Sequence, residues 1–396
     1  MPILCFIVFA IMSAFALLLP SIMFFLENLG ATKATATQVL AGYSFAQFVA
    51  GPFLGRLSDR VGRKPIILCG LFLSAGCYTY LTFFAVSVST VAFGLVGAGL
   101  CSGIVAVSLA AVADITDPKD RSKNMGFIGA SIGLAFTLGP ALGAYLSSKE
   151  AMSVTISLST AASAAVLGVG LLAAMRLPVR REVNHEQPKS VNNSFVKRLE
   201  PTVFTQPVLL LICVLMLLFT VSLSMMEPIM PYLVRDRYEW GPREMGFLFA
   251  YVGLILIIVQ GKFIGPLTKR FGTKKLLKNG TILMAVGLLI LILTPVSYGI
   301  LLGLTLTSIG AALFNTSLLA IASLSAALKE RGALLGTVQS MQALGRSFGP
   351  FLAGWLYQKA PATPLLAGFF AVVLVFLGAT FLKKLNTNTS DLAKAK

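Results

Sequence analysis

The sequence predicts an all-α membrane protein: twelve transmembrane helices in two six-helix bundles related by a pseudo-two-fold axis. Three observations lead there. The 396 residues are 56% hydrophobic and only 12% charged, which takes the chain outside the range of soluble domains. Its apolar residues fall into twelve runs, each close to the ~20 residues a helix needs to cross a bilayer. The same glycines, prolines and charges then return 210 residues later, from span 2 through span 5.

Span 1 begins at residue 3 and stays apolar to Leu26. Ala14-Phe15-Ala16 resembles a leader-cleavage site, but no cation precedes the run and it continues well past that point, so it reads as a retained helix. Spans 2 to 6 are expected at 37–57, 65–86, 88–112, 125–147 and 152–175. Residues 1–175 form the first bundle. The composition then turns polar over 176–206, with Arg176, Arg180, Arg181, His185, Lys189, Lys197 and Arg198, which marks a linker between two halves. Spans 7 to 12 follow at 207–231, 243–267, 276–294, 298–325, 333–358 and 362–382. The second bundle is therefore 207–382, and 383–396 is a polar tail.

Orientation follows from the lysines and arginines, which favour the cytoplasmic side. With both termini cytoplasmic, the inner loops, linker and tail hold 24 of the 32 cations. The outer loops hold Lys33, Lys149, Arg235, Arg237, Arg243 and Lys359, and Lys262 and Arg346 remain within spans. The net charge of +17 therefore marks membrane topology. No basic helix or aromatic-basic interleaving points to nucleic acid.

The repeat ties the two halves together. Gly55 returns as Gly265, Arg60 as Arg270, Gly62 as Gly272 and Lys64 as Lys274. Lys119-Asp120-Arg121 returns as Lys329-Glu330-Arg331, and Gly139-Pro140 as Gly349-Pro350. Two departures stand out: Lys269 replaces Asp59, and Thr273 replaces Arg63. Whatever charge pairing the first loop makes, the second cannot copy it.

Gly55-Arg56-Leu57-Ser58-Asp59-Arg60-Val61-Gly62-Arg63-Lys64-Pro65 packs four cations, one carboxylate and two glycines between two apolar runs. The cations suit a cytoplasmic leaflet. The glycines permit a sharp turn and close approach, and Asp59 suits a helix N-terminus or nearby arginines. A plain positive-inside loop would explain the cations alone. The stretch resembles the G-x-L-x-D-R-x-G-R-K loop between helices 2 and 3 of the major facilitator superfamily. That resemblance implies transport of a small molecule by alternating access, with a conformational latch built from Gly55, Asp59, Arg60, Gly62 and Arg63. It also implies that Asp114, at the end of span 4, joins the latch; a solvated helix-end carboxylate is the alternative.

Span 5 carries Gly133, Gly139, Pro140 and Gly143. Small residues with a proline kink serve close helix packing in many membrane proteins. The spacing also resembles the helix-5 signature of the drug:proton antiporter branch, including tetracycline exporters, and so implies efflux. Those antiporters place an arginine in helix 4 where this chain has Leu95, in Gly94-Leu95-Val96-Gly97-Ala98-Gly99.

Ionisable side chains deep in a span are costly and usually face a cavity or a partner. Glu227 of span 7 is the only carboxylate well inside a span. It is either a proton-coupling acid, as the resemblance to helix-7 glutamates of exporters implies, or a helix-end acid reaching outer water. Arg346, near the centre of span 11, is its counter-ion, an anchor for an anionic substrate group, or a partner of backbone carbonyls. The fold implied by the resemblance puts Met225, Met226 and Met230, Asn315 and Thr316, and Phe15 and Met23 on the cavity wall. Flexible methionines there suit varied amphipathic ligands and lipid contact equally.

Other chemistry lacks material. The five cysteines lie in apolar runs with no CxxC pair, and the single histidine sits in the linker, so no metal, cofactor or catalytic site is expected. The expectation is proton-coupled efflux of amphipathic molecules by a monomer in the cytoplasmic membrane, with the proton as coupling ion and the lipid bilayer as its other partner. Transport of an organic anion through Arg346 is the alternative.

Overall fold

The computed structural model describes residues 1–116, 121–146, 152–177, 207–294, 296–325 and 331–394. The linker 176–206 lies almost wholly outside them, as do Lys119, Asp120, Lys329 and Glu330. Among the described residues every regular element is a helix. In order they are α1 Pro2–Asn28, α2 Lys33–Val61, α3 Arg63–Phe84, α4 Val88–Ser102, α5 Ile104–Ile115, α6 Arg121–Leu146 and α7 Met152–Met175. There follow α8 Pro207–Tyr238, α9 Pro242–Ile258, a π turn Val259–Phe263, α10 Ile264–Phe271, α11 Thr273–Leu293, α12 Ser297–Ser325, α13 Arg331–Tyr357 and α14 Thr363–Lys394. Helices α4 and α5 make one span interrupted at Gly103, and α9, the π turn and α10 make another.

Ten of these stretches are long and apolar enough to cross a membrane. The other two spans, α2 with 29 residues and α13 with 27, have the length but are more polar. Each of the twelve expected spans is a helix, and the ends differ in three informative places. Helix α2 runs past Leu57 to Val61, and α3 starts at Arg63, so the charged loop is a single residue, Gly62, at φ 99°. Gly272, at φ 76°, makes the same one-residue joint between α10 and α11. Only glycine takes that backbone without strain.

Helix α8 is the second difference. It passes through Pro228 and Pro231 and ends at Tyr238, where Glu239 takes a positive φ of 58° and donates its N–H to the Arg235 carbonyl. Arg235 and Arg237 are thus the last turns of a helix, not loop residues. Glu227 lies eleven residues from the helix end, about 16 Å, rather than the single turn that the polar composition suggested. Third, α14 continues to Lys394, through the expected tail.

The described chain forms two compact units. One comprises Met1–Val179, Met226–Ile257 and Pro350–Pro364; the other comprises Arg180–Met225, Ile258–Gly349 and Leu365–Lys396. This division does not follow the sequence halves, because in the first unit the ends of α8, α9 and α13 pack with α1, α2 and α6.

Glycine makes that packing possible. A Cβ on Gly139 of α6 would lie 2.6 Å from Ala16 Cβ, and one on Gly143 would strike the Leu17 carbonyl, so α6 lies backbone to backbone on α1. On its other side, Gly246 of α9 meets Pro140 and Ala144. The repeat has a similar contact: Gly354 of α13, the equivalent of Ala144 at the 210-residue offset, meets Ala34 and Thr37 of α2, on either side of Ala36, the equivalent of Gly246. Likewise Gly70 against Ile104 in the first unit matches Gly280 against Phe314 in the second. Gly133 meets only Ile257, at an ordinary 3.9 Å, so it has no such role.

These contacts predict a contrast. Gly143→Val should cost about 1–3 kcal/mol or more through overpacking, read as a lower melting temperature in detergent. Gly129→Ala, where a Cβ would meet nothing within 4 Å, should be neutral or stabilising by up to about 1 kcal/mol. Equal losses at both sites would contradict this packing.

Candidate functional site

Four helices of the first unit, α1, α2, α8 and α13, bring their cation-poor ends together. Arg235, four residues past Pro231 of α8, grips the Glu27 carboxylate of α1 with both guanidinium nitrogens; the Nη2–Oε1 contact is 3.0 Å. A planar fork on a carboxylate is the strongest ordinary ion-pair geometry. Next to it, Asp236 accepts from Lys33 Nζ at 2.8 Å and from the Tyr357 hydroxyl at 3.1 Å. Lys33 Nζ also sits 4.8 Å from the centre of the Tyr357 ring, and the Arg235 guanidinium 5.7 Å from that of Tyr232.

Beneath the charges lies a dry plug. Tyr232 is 0% exposed and donates to Met23 Sδ at 3.7 Å, while Ile229, Met230, Leu233 and Val234 are all buried. With two acids and two bases, the quartet is neutral. Desolvating half-exposed charges is tolerable when each has a geometric partner.

Sequence reasoning missed this cluster, since Lys33 and Arg235 read as residual loop cations. A usable signal was present, because the few cations of the outer loops stand close in sequence to acids, Glu27 before Lys33 and Asp236 beside Arg235.

At the opposite, cation-rich end of the same unit, Arg63 bridges two carboxylates. Its Nη1 pairs with Asp59 at 2.5 Å, and its Nε pairs with Asp114 of α5 at 3.0 Å. Nη1 also donates to Ser58 Oγ at 2.6 Å, and Ser58 Oγ donates to the Gly55 carbonyl at 2.6 Å. Arg63 can reach all of these because Gly62 turns α3 back beside the end of α2. Gly55 contributes its carbonyl; a Cβ there would meet nothing within 4 Å, so the expected close approach is absent. Arg60 is exposed in the last turn of α2 and, among the described residues, makes none of these pairs. Lys64 instead ties α3 to the end of α7 through the carbonyls of Met175 and Leu177, at 2.8 and 2.5 Å.

The deep residues divide differently. Glu227 is half-buried on α8 in the first unit, and Arg346 is exposed on α13 in the second. Each stands eleven residues from the cation-poor end of its helix. Asn315 is half-buried on α12, and its Oδ1 is buried without a hydrogen-bond partner. Met226, Met225, Met230 and Met23 are buried in packed interior, and Phe15 stacks on Tyr43 at 4.1 Å. In this conformation these side chains are almost wholly covered. Leu95, in place of the antiporter arginine, is 1% exposed.

A family model described as Major Facilitator Superfamily matches residues 4–263 and again 222–396. The chain belongs to the major facilitator superfamily. It is a multi-pass membrane transporter and not an enzyme. It is 26% identical over 393 residues to multidrug resistance protein 2 of Bacillus subtilis, covering 96% of this chain and 94% of that one. It is also 26% identical to the class C tetracycline resistance protein of Escherichia coli, over 82% and 80% of the two chains. Among solved structures, the human organic anion transporter MFSD10 superposes with a TM-score of 0.68 at 24% identity, covering 96% of this chain and 98% of that one.

The bidentate pair makes a testable demand. Glu27→Gln should lower the melting temperature by a few degrees, in line with about 1 kcal/mol for a partly exposed ion pair. A Glu27→Arg, Arg235→Glu exchange should restore part of the loss. A double exchange no better than the sum of its single changes would deny the coupling.

Proposed function

We propose that this transporter exports amphipathic small molecules by exchanging them for protons, with Glu227 as the proton-carrying group. The supporting observation is Glu227's place: half-buried, mid-span on α8, below a plug of buried side chains closed by the Glu27–Arg235 and Lys33–Asp236 pairs. The resistance proteins among its relatives support efflux over uptake. The 24 cations of the opposite ends support cytoplasmic termini, in a cytoplasmic membrane.

In this reading the sequence halves, 1–175 and 207–382, rock against each other in a monomer, with 176–206 as their tether. The charge quartet is the outer gate. Opening it lets an outside proton reach Glu227, and protonation removes the charge from this mid-span group. The halves then close outside and open inside, where the proton leaves and the cargo loads. Arg63, bridging Asp59 and Asp114, keeps α2, α3 and α5 moving as one body. Gly139 and Gly143 let α6 stay sealed on α1 throughout.

Two outcomes check the scheme. Glu227→Gln should abolish concentrative, uncoupler-sensitive dye efflux from cells lacking other exporters, while leaving gradient-independent exchange across proteoliposomes. Export against a gradient by that variant would remove Glu227 from the cycle. Glu27→Gln should make the outer rim open more often, read as faster maleimide labelling of a cysteine placed at Met230 from outside; unchanged labelling would deny that the quartet is the gate.

A further inference from the structure

Helices α3 and α4 lie close together and antiparallel. A Cβ on Gly94 would strike Leu81, one on Gly97 would lie 3.0 Å from Cys77 Sγ, and one on Gly70 would strike Ile104, just past the Gly103 break. Cys77 therefore stands level with Gly97. Cys101 follows on α4 one turn later, about 6 Å along and about 40° round. A Cα–Cβ bond leans toward the N-terminus of its own helix. On antiparallel neighbours these two thiols thus lean toward each other, and Cys77 and Cys101 are hydrogen-bonded side chain to side chain.

Cys69 makes the contrast. It is exposed, about two turns nearer the start of α3, and leans away from Cys101. Between the two runs an apolar groove, lined by Cys69 and Cys101 together with Leu54, Ile66, Leu73 and Leu100. The groove adjoins the thiol pair at Cys101 and opens outward, where Leu73 and Leu100 are about half exposed.

We propose that Cys77 and Cys101 form a two-thiol binding site for trivalent organoarsenicals, with the apolar groove receiving the organic group. A compound R–As=O forms two As–S bonds and loses its bonds to oxygen, which leaves as water with the two thiol protons. Arsenic stays trivalent, so the step needs no oxidant or reductant. Charge selects this class of ligand, because an unpaired charge within a span is expensive. Two thiolates on a monovalent soft cation would keep a net negative charge, whereas the dithioarsenical is neutral. A divalent mercury ion is also neutralised by two thiolates, but it carries no third substituent for the groove. In the arsenical that third bond holds R, and the groove at Cys101 gives R an apolar place beside the sulfurs. A single thiol such as Cys69 can form one As–S bond, which a monothiol from solution exchanges; in the pair, each broken bond is re-formed from within the site. The closed ring ties α3 to α4 two residues before the Gly103 break.

The experiment treats the purified full chain in detergent with equimolar phenylarsine oxide. Intact-mass analysis should show a single phenylarsenic adduct that survives excess β-mercaptoethanol and is removed by dimercaptopropanol. After denaturation, maleimide should modify two fewer thiols than the five cysteines of the sequence. Cys77→Ser and Cys101→Ser should each abolish the monothiol-resistant adduct, and Cys69→Ser should leave it; the thiol count in the unaltered protein decides even where a variant fails to fold. Arsenite, with no organic group to bury, should need about ten-fold more to reach half occupancy. An adduct that β-mercaptoethanol removes, that consumes a single thiol, or that persists in Cys101→Ser overturns the site. Equal affinity for arsenite and phenylarsine oxide overturns the part given to the groove.

Discussion

A helix in hydrocarbon gains nothing by hiding leucines against its neighbour, because lipid is as apolar as leucine. Association depends on how closely two backbones can approach. In this chain that approach occurs where a glycine faces a carbonyl or a small residue: Gly139 and Gly143 on α1, Gly246 on α6, Gly354 on α2. The 210-residue repeat is followed to within two residues at these contacts, since Gly354, the equivalent of Ala144, meets Ala34 and Thr37 on either side of Ala36, the equivalent of Gly246. The same dependence explains why α6 tolerates Pro140 mid-helix. Its neighbours hold it from both sides, so the lost backbone hydrogen bond does not end the helix.

Charge is spent unevenly on this frame. At the cation-rich end the bridging arginine belongs to the first copy alone; Lys269, Thr273 and Leu324 stand where a second Asp59, Arg63 and Asp114 would be. Duplication therefore kept the one-residue glycine joint and lost the ion pairs. At the cation-poor end the pairs join α1 and α2 to α8 and α13. A charge pair confined to neighbouring helices stiffens them. One that reaches from the first six spans to later ones has to break whenever those spans separate.

The fold was legible because lipid imposes a length and a polarity on each span, and duplication printed the landmarks twice. Helix ends were not. Proline and charge after Met230 suggested an end to span 7, yet α8 continues two turns to Tyr238, because its prolines are flanked by packed neighbours and its arginines find partners on α1. Gly62 was readable as a turn, though not as the whole of it. Asp59, Arg63 and Asp114 were named and lie in contact. Nearby opposite charges hinted at Glu27, Lys33, Arg235 and Asp236, but their pairing, and Tyr357's, was not assignable, since it joins residues 121 to 208 apart in the chain. The resemblance put the methionines of α8 on a cavity wall, and in this conformation they are buried.

The chain has two tryptophans, Trp240 and Trp355, and both lie at the cation-poor rim of the first unit. Trp240 stands 5.4 Å from the Tyr238 ring, and Trp355 lies under Lys359 Nζ at 4.2 Å, a few residues from the ion pairs. The protein thus carries its own fluorophores at one end only. Its ultraviolet emission is a label-free optical record of that rim, blind to events at the far side.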